Sequence, residues 1–189
     1  MKPWSEEEVF FKHKYDVVSF GKHHHSFCKY LTEKQYSCVL DIGCGNGNVL
    51  GCVSNGIRYI GTDINPHCIE TAKKKYGSRA EFHLFDVEVD DLEKINLPDK
   101  KDLCVYIDSV FTMLDDPNKF IEKLFSISSS IYMNRTFYGG TKTVKTLYKW
   151  GGMTEKSPLW KFSSHYFHDI LPDDWNLHIE GKIVIMEKS

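Results

Sequence analysis

The run V39-L-D-I-G-C-G-N-G47 constrains this chain more than any other segment. Its first half is a short apolar stretch of the kind buried on both faces of a parallel sheet. Its second half places glycine at Gly43, Gly45 and Gly47, so the strand ends on bare backbone. Such a turn lets the polar end of a ligand lie against N–H groups at the start of the next helix. Gly43 and Gly45 would supply the tight turn and the close approach, and Gly47 would let the following helix pack. An isolated G-x-G also suits an ordinary strand-to-helix turn, so the surrounding pattern has to decide between the two.

That pattern is an alternation of short apolar runs and amphipathic segments, the mark of an α/β layered fold with a mostly parallel sheet. Strands are expected over 38–42, 58–62, 81–85, 103–107 and 130–134. Helices are expected over 5–31 with a break near Gly21, over 48–55, over 66–76 with Pro66 at its start and Gly77 at its end, and over 117–126. The tail W175-N-L-H-I-E-G-K-I-V-I-M-E187 alternates on either side of Gly181 and reads as an antiparallel hairpin at one side of the sheet. An acidic residue stands at or just past each of four strands: Asp41, Asp63 after R58-Y-I-G-T62, Asp86 after E81-F-H-L-F85, and Asp108 after L103-C-V-Y-I107. Ligands of open α/β sheets bind outside the carboxyl ends of the strands, so these carboxylates are expected to ring one crevice. Asp63 is suited to accept both hydroxyls of a ribose. Any one of them alone would be read as a helix cap or a solvated loop residue.

Length and charge narrow the partners. A chain of 189 residues suits one domain. With 26% charged residues and a formal net charge of -2, it has no global positive field to hold a nucleic-acid backbone or an anionic membrane. The six cysteines, Cys28, Cys38, Cys44, Cys52, Cys68 and Cys104, form no C-x-x-C pair and no zinc spacing, which favours reduced thiols serving mostly as small core residues. No run of 18 apolar residues occurs and the start, M1-K-P-W-S-E-E-E, is acidic, so a soluble cytoplasmic protein is expected.

Taken together, D41-I-G-C-G-N-G47, Asp63 with Ile64, F85-D-V87 and Y106-I-D-S109 resemble the successive motifs of the class I S-adenosylmethionine-dependent methyltransferases. The match runs from about Cys38 to Asn134, and the closing hairpin is also similar. The resemblance implies a three-layer α/β/α Rossmann-like sheet of seven strands, with an antiparallel C-terminal hairpin and an N-terminal helical cap. On that reading 1–35 is the cap, 36–134 the cofactor-binding core, 135–174 a substrate-side insertion and 175–189 the hairpin. The resemblance also implies S-adenosyl-L-methionine as cofactor and S-adenosyl-L-homocysteine (SAH) as product. It assigns the loop with Gly43, Gly45, Asn46, Gly47 and Asp41 to the methionine part. Asp63 would take the ribose and Ile64 would lie beside the adenine. Asp86 and Val87 would meet the adenine amino group, and Asp108 with Ser109 would lie near the sulfonium. A nicotinamide-dependent dehydrogenase is the nearest rival, but its G-x-G-x-x-G fingerprint needs glycine where this chain has Asn48.

The sequence says less about the acceptor. Methyl transfer needs a nucleophile aligned behind the methyl, worth about 7–11 kcal/mol in well-oriented reactions, and often a general base worth about 10²–10⁴-fold. The candidate bases are His23, His24 and His25 on the cap, and His165, beside His168, on a helical stretch after strand five. Tyr15 matches the aromatic residue that many small-molecule methyltransferases place over the cofactor, where cation–π attraction contributes about 0.5–2 kcal/mol. His24, His25 and Cys28 lack the ligand set of a zinc site, so no metal is expected. The end of strand four reads D108-S-V-F111 rather than the N-P-P-Y type of nucleic-acid amino methylation, and K73-K-K75 is an ordinary solvated helix run, so nucleic acid is not the expected partner. The insertion mixes Tyr138, Tyr148, Trp150 and Trp160 with Arg135, Lys142, Lys145 and Lys149. It suits a small polar or anionic acceptor such as a sugar, a phosphate-bearing metabolite or a natural product, with Arg135 as the anion contact. The alternatives are a protein or RNA methyltransferase, or a non-catalytic cofactor-binding subunit.

Overall fold

Short β-rich runs punctuated by capped helices build one twisted sheet with helices on both faces. The computed structural model describes residues 22–148 and 156–189. In chain order these form α1 (Lys22–Lys34), β1 (Cys38–Ile42), β2 (Arg58–Asp63), α2 (Pro66–Tyr76), β3 (Glu81–Leu84), β4 (Leu103–Asp108), α3 (Pro117–Ile127), β5 (Ser130–Asn134), β6 (Val144–Tyr148), β7 (Ser157–Lys161), α4 (Ser164–Ile170), β8 (Trp175–Glu180) and β9 (Ile183–Lys188). Seven strands form one sheet in the order β3-β2-β1-β4-β5-β9-β8, and β6 pairs with β7 apart from it. Strands β1 to β5 are parallel, while β9 runs antiparallel to β5 and β8 antiparallel to β9. The expected layered sheet with its closing hairpin is what the chain forms.

Local chemistry sets the helix starts. Proline occupies the first turn of α2 and of α3, where its missing N–H costs nothing. Asn65 caps α2 by accepting from Cys68 N at 3.1 Å, and Asp116 caps α3 by accepting from Lys119 N at 3.1 Å. The inner stripe of α3, Phe120, Ile121 and Leu124, is buried, and each such side chain contributes about 1.5–3 kcal/mol of burial.

Register divides the core in two. Leu40, Ile42, Val105, Ile107, Ile131 and Met133 face one side, where α3, Phe111, Phe162 and Phe167 of α4 cover them. Val39, Tyr59, Cys104, Tyr106 and Tyr132 face the other, covered by α1, by Val49 and Leu50, and by Ile69 and Ala72 of α2. On α1 the buried residues His24, Phe27, Tyr30 and Leu31 recur at helical spacing. The Phe27 ring lies 4.2 Å from that of Tyr106 and 5.0 Å from that of Tyr132. The Tyr30 hydroxyl bonds Ser130 Oγ at 2.6 Å and donates to Glu187 Oε1 at 2.9 Å, tying the cap to β5 and β9.

Two expectations are corrected. The helix expected over 48–55 is a single 3-10 turn, Asn48–Cys52, because Gly51, Ser54, Asn55 and Gly56 oppose helix and the crossover to β2 is short. Cys28 and Cys52 form a disulfide with Cα atoms 5.9 Å apart, against the expectation of thiols throughout; Cys38, Cys44, Cys68 and Cys104 are free and buried. Sequence spacing could not show this, because the docking of α1 creates the proximity. The insertion contributes a hairpin, β6 with β7, and the short α4, the helical stretch that carries His165 and His168. Its Trp160 donates to Leu114 O at 2.8 Å, under Lys145 Nζ at 4.9 Å from the ring centre. No helix among the described residues is long and apolar enough to cross a membrane. Tyr15, Lys149, Trp150 and the side chain of His23 lie outside the described residues.

Candidate active site

The glycine loop folds back over the end of β2. Gly43 N and Cys44 N both donate to Thr62 O, at 2.8 and 2.9 Å, and Gly47 N donates to Cys44 O at 2.9 Å. Gly43 has φ +75°, and a Cβ there would stand 3.2 Å from Val110 Cβ, so both conformation and space require glycine. Asn46 is buried, and its Oδ1 has no hydrogen-bond partner.

Asp63, the last residue of β2, is held from two sides. Gly45 N donates to its Oδ2 and Asn65 N to its Oδ1, each at 2.8 Å. Burial raises its pKa above the usual carboxylate range, and the bonds from Asn65 and Gly45 oppose that shift. A carboxylate offers about four lone-pair sites, so this one, fixed by two donors, keeps acceptor capacity for a pair of ligand hydroxyls. Ile64 beside it is half-buried. Asp86 follows β3 in a tight turn, accepting from Glu88 N at 3.0 Å, with half-buried Val87 next to it.

At the end of β4, Asp108 is met by Arg135 in a two-pronged ion pair, Nε to Oδ1 at 2.6 Å and Nη2 to Oδ2 at 2.5 Å. Register explains it: Asp108 pairs with Asn134, and Arg135 is the next residue. Ser109 and Arg135 both have φ +54°, so both strand ends turn sharply here. Half of the Arg135 side chain remains exposed. The buried Tyr106 hydroxyl and Asn134 side chain lie on the same sheet face, and burial raises the Tyr106 phenol pKa while a hydrogen bond from Asn134 opposes that shift. The orphaned Asn46 oxygen is thus the buried polar atom presented at the glycine loop, as a polar ligand would require.

Asp41 departs from expectation. It is 1% exposed and accepts a hydrogen bond from the Tyr59 hydroxyl, so it lies beneath the loop instead of lining the crevice. The reason is register: Asp41 sits one residue before the end of β1, on the inward face beside Tyr106. Burial pushes its carboxyl up to about 8, the Tyr59 bond opposes this, and the charges of Asp108 and Asp63 add to it. An unfolded chain ionises Asp41 near the ordinary value of about 3.9. Between those values the folded state binds more protons than the unfolded one, so this group's contribution to stability falls as pH rises and levels off above about 8. Asp41→Asn is expected to remove that slope and to be more stable than wild type by about 2–4 kcal/mol at pH 8. Unfolding midpoints of the two proteins across this pH range check it, and parallel curves would refute it.

The histidines are not brought together. His24 is buried on the sheet-facing side of α1, His25 is exposed, and His165 and His168 are exposed on α4, which packs on the opposite face. Sequence reasoning missed Tyr59, Tyr106 and Asn134. Tyr106 was quoted only as part of the strand-four motif, and the partnership of Asn134 with Asp108 needed the β4–β5 register. Among the described residues no group of three or more His, Cys, Asp or Glu side chains is placed to hold a metal.

A parallel sheet with a reversed last strand, a glycine loop after β1 and a clamped acid at the end of β2 are arranged as in the Rossmann-like fold of methyltransferases. Residues 40–128, just under half of the chain, match the family model described as a methyltransferase domain. The chain is 29% identical over 127 residues to malonyl-[acyl-carrier protein] O-methyltransferase 1 of Ilyobacter polytropus, covering 61% of this chain and 45% of that protein. The chain thus spans under half the length of this relative. Among solved structures it resembles the N-terminal domain of EvdMO1 with SAH bound, at TM-score 0.70 and 12% identity over 89% of this chain and 82% of that one. It also resembles magnesium protoporphyrin IX methyltransferase from Synechocystis PCC 6803 with SAM bound, at TM-score 0.65 and 14% identity over 98% and 93% of the two chains. CalS10, an amino pentose methyltransferase from Micromonospora echinaspora, matches at TM-score 0.67 and 11% identity over 95% and 97%. At these identities the structures show a common fold.

Proposed function

We propose that this chain transfers a methyl group from S-adenosylmethionine to a small polar or anionic acceptor by in-line displacement. The observation that carries the reading is the Asp63 carboxylate, fixed by Gly45 N and Asn65 N at the strand ends with acceptor capacity left for a ribose. The bound cofactor would supply an electrophilic methyl on a sulfonium. The protein's task is then to hold the nucleophile in line and to exclude water, and such positioning can contribute about 7–11 kcal/mol.

Arg135 supports the anionic half of the reading. Its guanidinium stands at the β5 end, half exposed, with its orientation set by the Asp108 fork. A guanidinium is planar and suited to forked recognition of a carboxylate or phosphate, as its grip on Asp108 illustrates. The O-methyltransferase relative is named for a malonyl group on a carrier protein, which favours oxygen as the accepting atom and makes a protein-borne acyl group the second reading. His24 and His165 remain candidate bases, the first closer to the sheet face that carries Asp41 and Tyr106.

The test is SAH formation from S-adenosylmethionine across a panel of small carboxylates, phosphates and sugars. With the acceptor so found, Arg135→Lys is expected to raise its KM about 10- to 100-fold, because an ammonium lacks the planar donor fork of the guanidinium, while SAH affinity stays within about threefold. An unchanged KM would remove Arg135 from the acceptor site.

A further inference from the structure

The turn after β3 reaches across the carboxyl edge of the sheet. Glu88 Oε1 accepts from Asp115 N at 2.6 Å and from Asp116 N at 3.4 Å, both in the connection from β4 to α3. Strands β3 and β4 are separated in the sheet by β2 and β1, so this contact spans the ends of the two strands that carry Asp63 and the glycine loop. The turn is cross-braced. Asp86 Oδ1 accepts from Glu88 N at 3.0 Å, Asp90 Oδ2 accepts from Asp86 N at 2.9 Å, and Asp90 N donates to Asp86 O at 2.8 Å. At its root Phe85 N donates to Asp63 O at 2.9 Å. The hairpin β6–β7 holds the same connection from elsewhere: Trp160 Nε1 donates to Leu114 O at 2.8 Å and Lys145 Nζ to Asp115 O at 3.5 Å. Leu114 O and Asp115 N belong to one peptide unit, and Asp115 O and Asp116 N to the next. Two consecutive peptides are therefore held by Glu88 at the N–H and by the hairpin at the carbonyl.

We propose that Glu88 is a positioning residue through which a seated cofactor docks the β6–β7 hairpin, the segment that follows the acceptor contact Arg135. The inference rests on the proposed methyltransferase reading. With the ribose on Asp63 of β2 and the polar end of the ligand at the loop after β1, the other end of the nucleoside is directed to the opposite neighbour of β2, which is β3 and its turn. The braced turn moves as one piece, so a ligand resting on it fixes Glu88. A planar peptide cannot turn its N–H without turning its carbonyl, so Glu88 in turn aims the oxygens that Trp160 and Lys145 grip. The hairpin is built to respond. It stands apart from the main sheet, and β6 is exposed at Val144, Lys145, Leu147 and Tyr148, so little burial holds it in place. Docked and lifted hairpins are the two states that the ligand and Glu88 bias together.

The test is amide hydrogen exchange, read by mass spectrometry on the full chain with and without saturating SAH. In wild type SAH is expected to slow exchange about fivefold or more in peptides covering β6 and β7, as well as in the glycine loop. In Glu88→Ala, shown to be folded by circular dichroism, the hairpin should lose that slowing while the glycine loop keeps it. SAH affinity should fall by no more than the same factor, since coupling is reciprocal. Glu88→Gln keeps a carbonyl acceptor at the same reach and should restore the slowing. Trp160→Phe keeps a ring but removes the donor to Leu114 O, and should abolish the slowing from the hairpin side. A Glu88 that only braced the fold would speed exchange with and without ligand alike and leave their ratio intact. A hairpin untouched by SAH in wild type, or a ratio that persists in Glu88→Ala, overturns the proposal and leaves the methyltransferase reading standing. Failure of the wild-type protein to bind SAH overturns both.

Discussion

An Asp63→Ala protein is expected to bind SAH about 100- to 1000-fold more weakly than wild type. The carboxylate has two duties. It accepts from Gly45 N and Asn65 N, each at 2.8 Å, and so sets the height of the glycine loop over β2. Its remaining lone pairs are the proposed ribose acceptors. Alanine removes the ligand bonds, each worth about 1.5–3 kcal/mol when the acceptor is charged, and leaves two backbone donors to find water. Asp63→Asn keeps one carbonyl acceptor and should fall between. Isothermal titration on protein shown to be folded by circular dichroism decides the matter; wild-type affinity in Asp63→Ala would end the ribose assignment.

Gly61→Val is expected to destabilise the fold by about 4 kcal/mol or more, a large share of the 5–15 kcal/mol that holds a typical domain together. Gly61 lies mid-strand between Asp41 and Phe82 in the register. A Cβ there would stand 2.8 Å from Phe82 Cδ1 and 2.9 Å from Cys44 Sγ. Neither neighbour yields readily, since the Phe82 ring is packed between Tyr59 and Tyr76 and Cys44 belongs to the glycine loop pinned to Thr62. Gly61→Ala should cost about 1–3 kcal/mol, the ordinary range for overpacking. Urea unfolding of the three proteins measures both, and a Gly61→Ala protein as stable as wild type would show that the loop can move aside freely.

The parts of this molecule that sequence made legible are those where one residue type has one physical use. Glycines after a buried strand, prolines at Pro66 and Pro117, and the alternation around Gly181 each fixed an element before any coordinate was known. Asp63 was legible for the same reason, as an acid just past a strand. What escaped depended on partners distant in sequence. The inward turn of Asp41 follows from its register with Gly61 and Tyr106, the grip of Arg135 on Asp108 from β4 lying beside β5, and the Cys28–Cys52 pairing from where α1 lands. The 48–55 segment failed for a local reason, since its apolar residues suggested a helix that its glycines and short span could not sustain. The histidines were singled out for their chemistry alone, and the fold distributes them between a buried helix face and exposed positions.

The brevity of the Asn48–Cys52 turn has an architectural consequence. A doubly wound sheet ordinarily roofs each face with its own crossover helices, yet here the first crossover supplies a single turn. The missing shingle is provided from upstream: Phe27, Tyr30 and Leu31 of α1 lie over Tyr106 and Tyr132, and the Cys28–Cys52 link bolts the borrowed piece to the stub it replaces. Lifting α1 would therefore unroof the half of the sheet that carries Asp41, so in this protein the cap is a wall of the house and only secondarily a door.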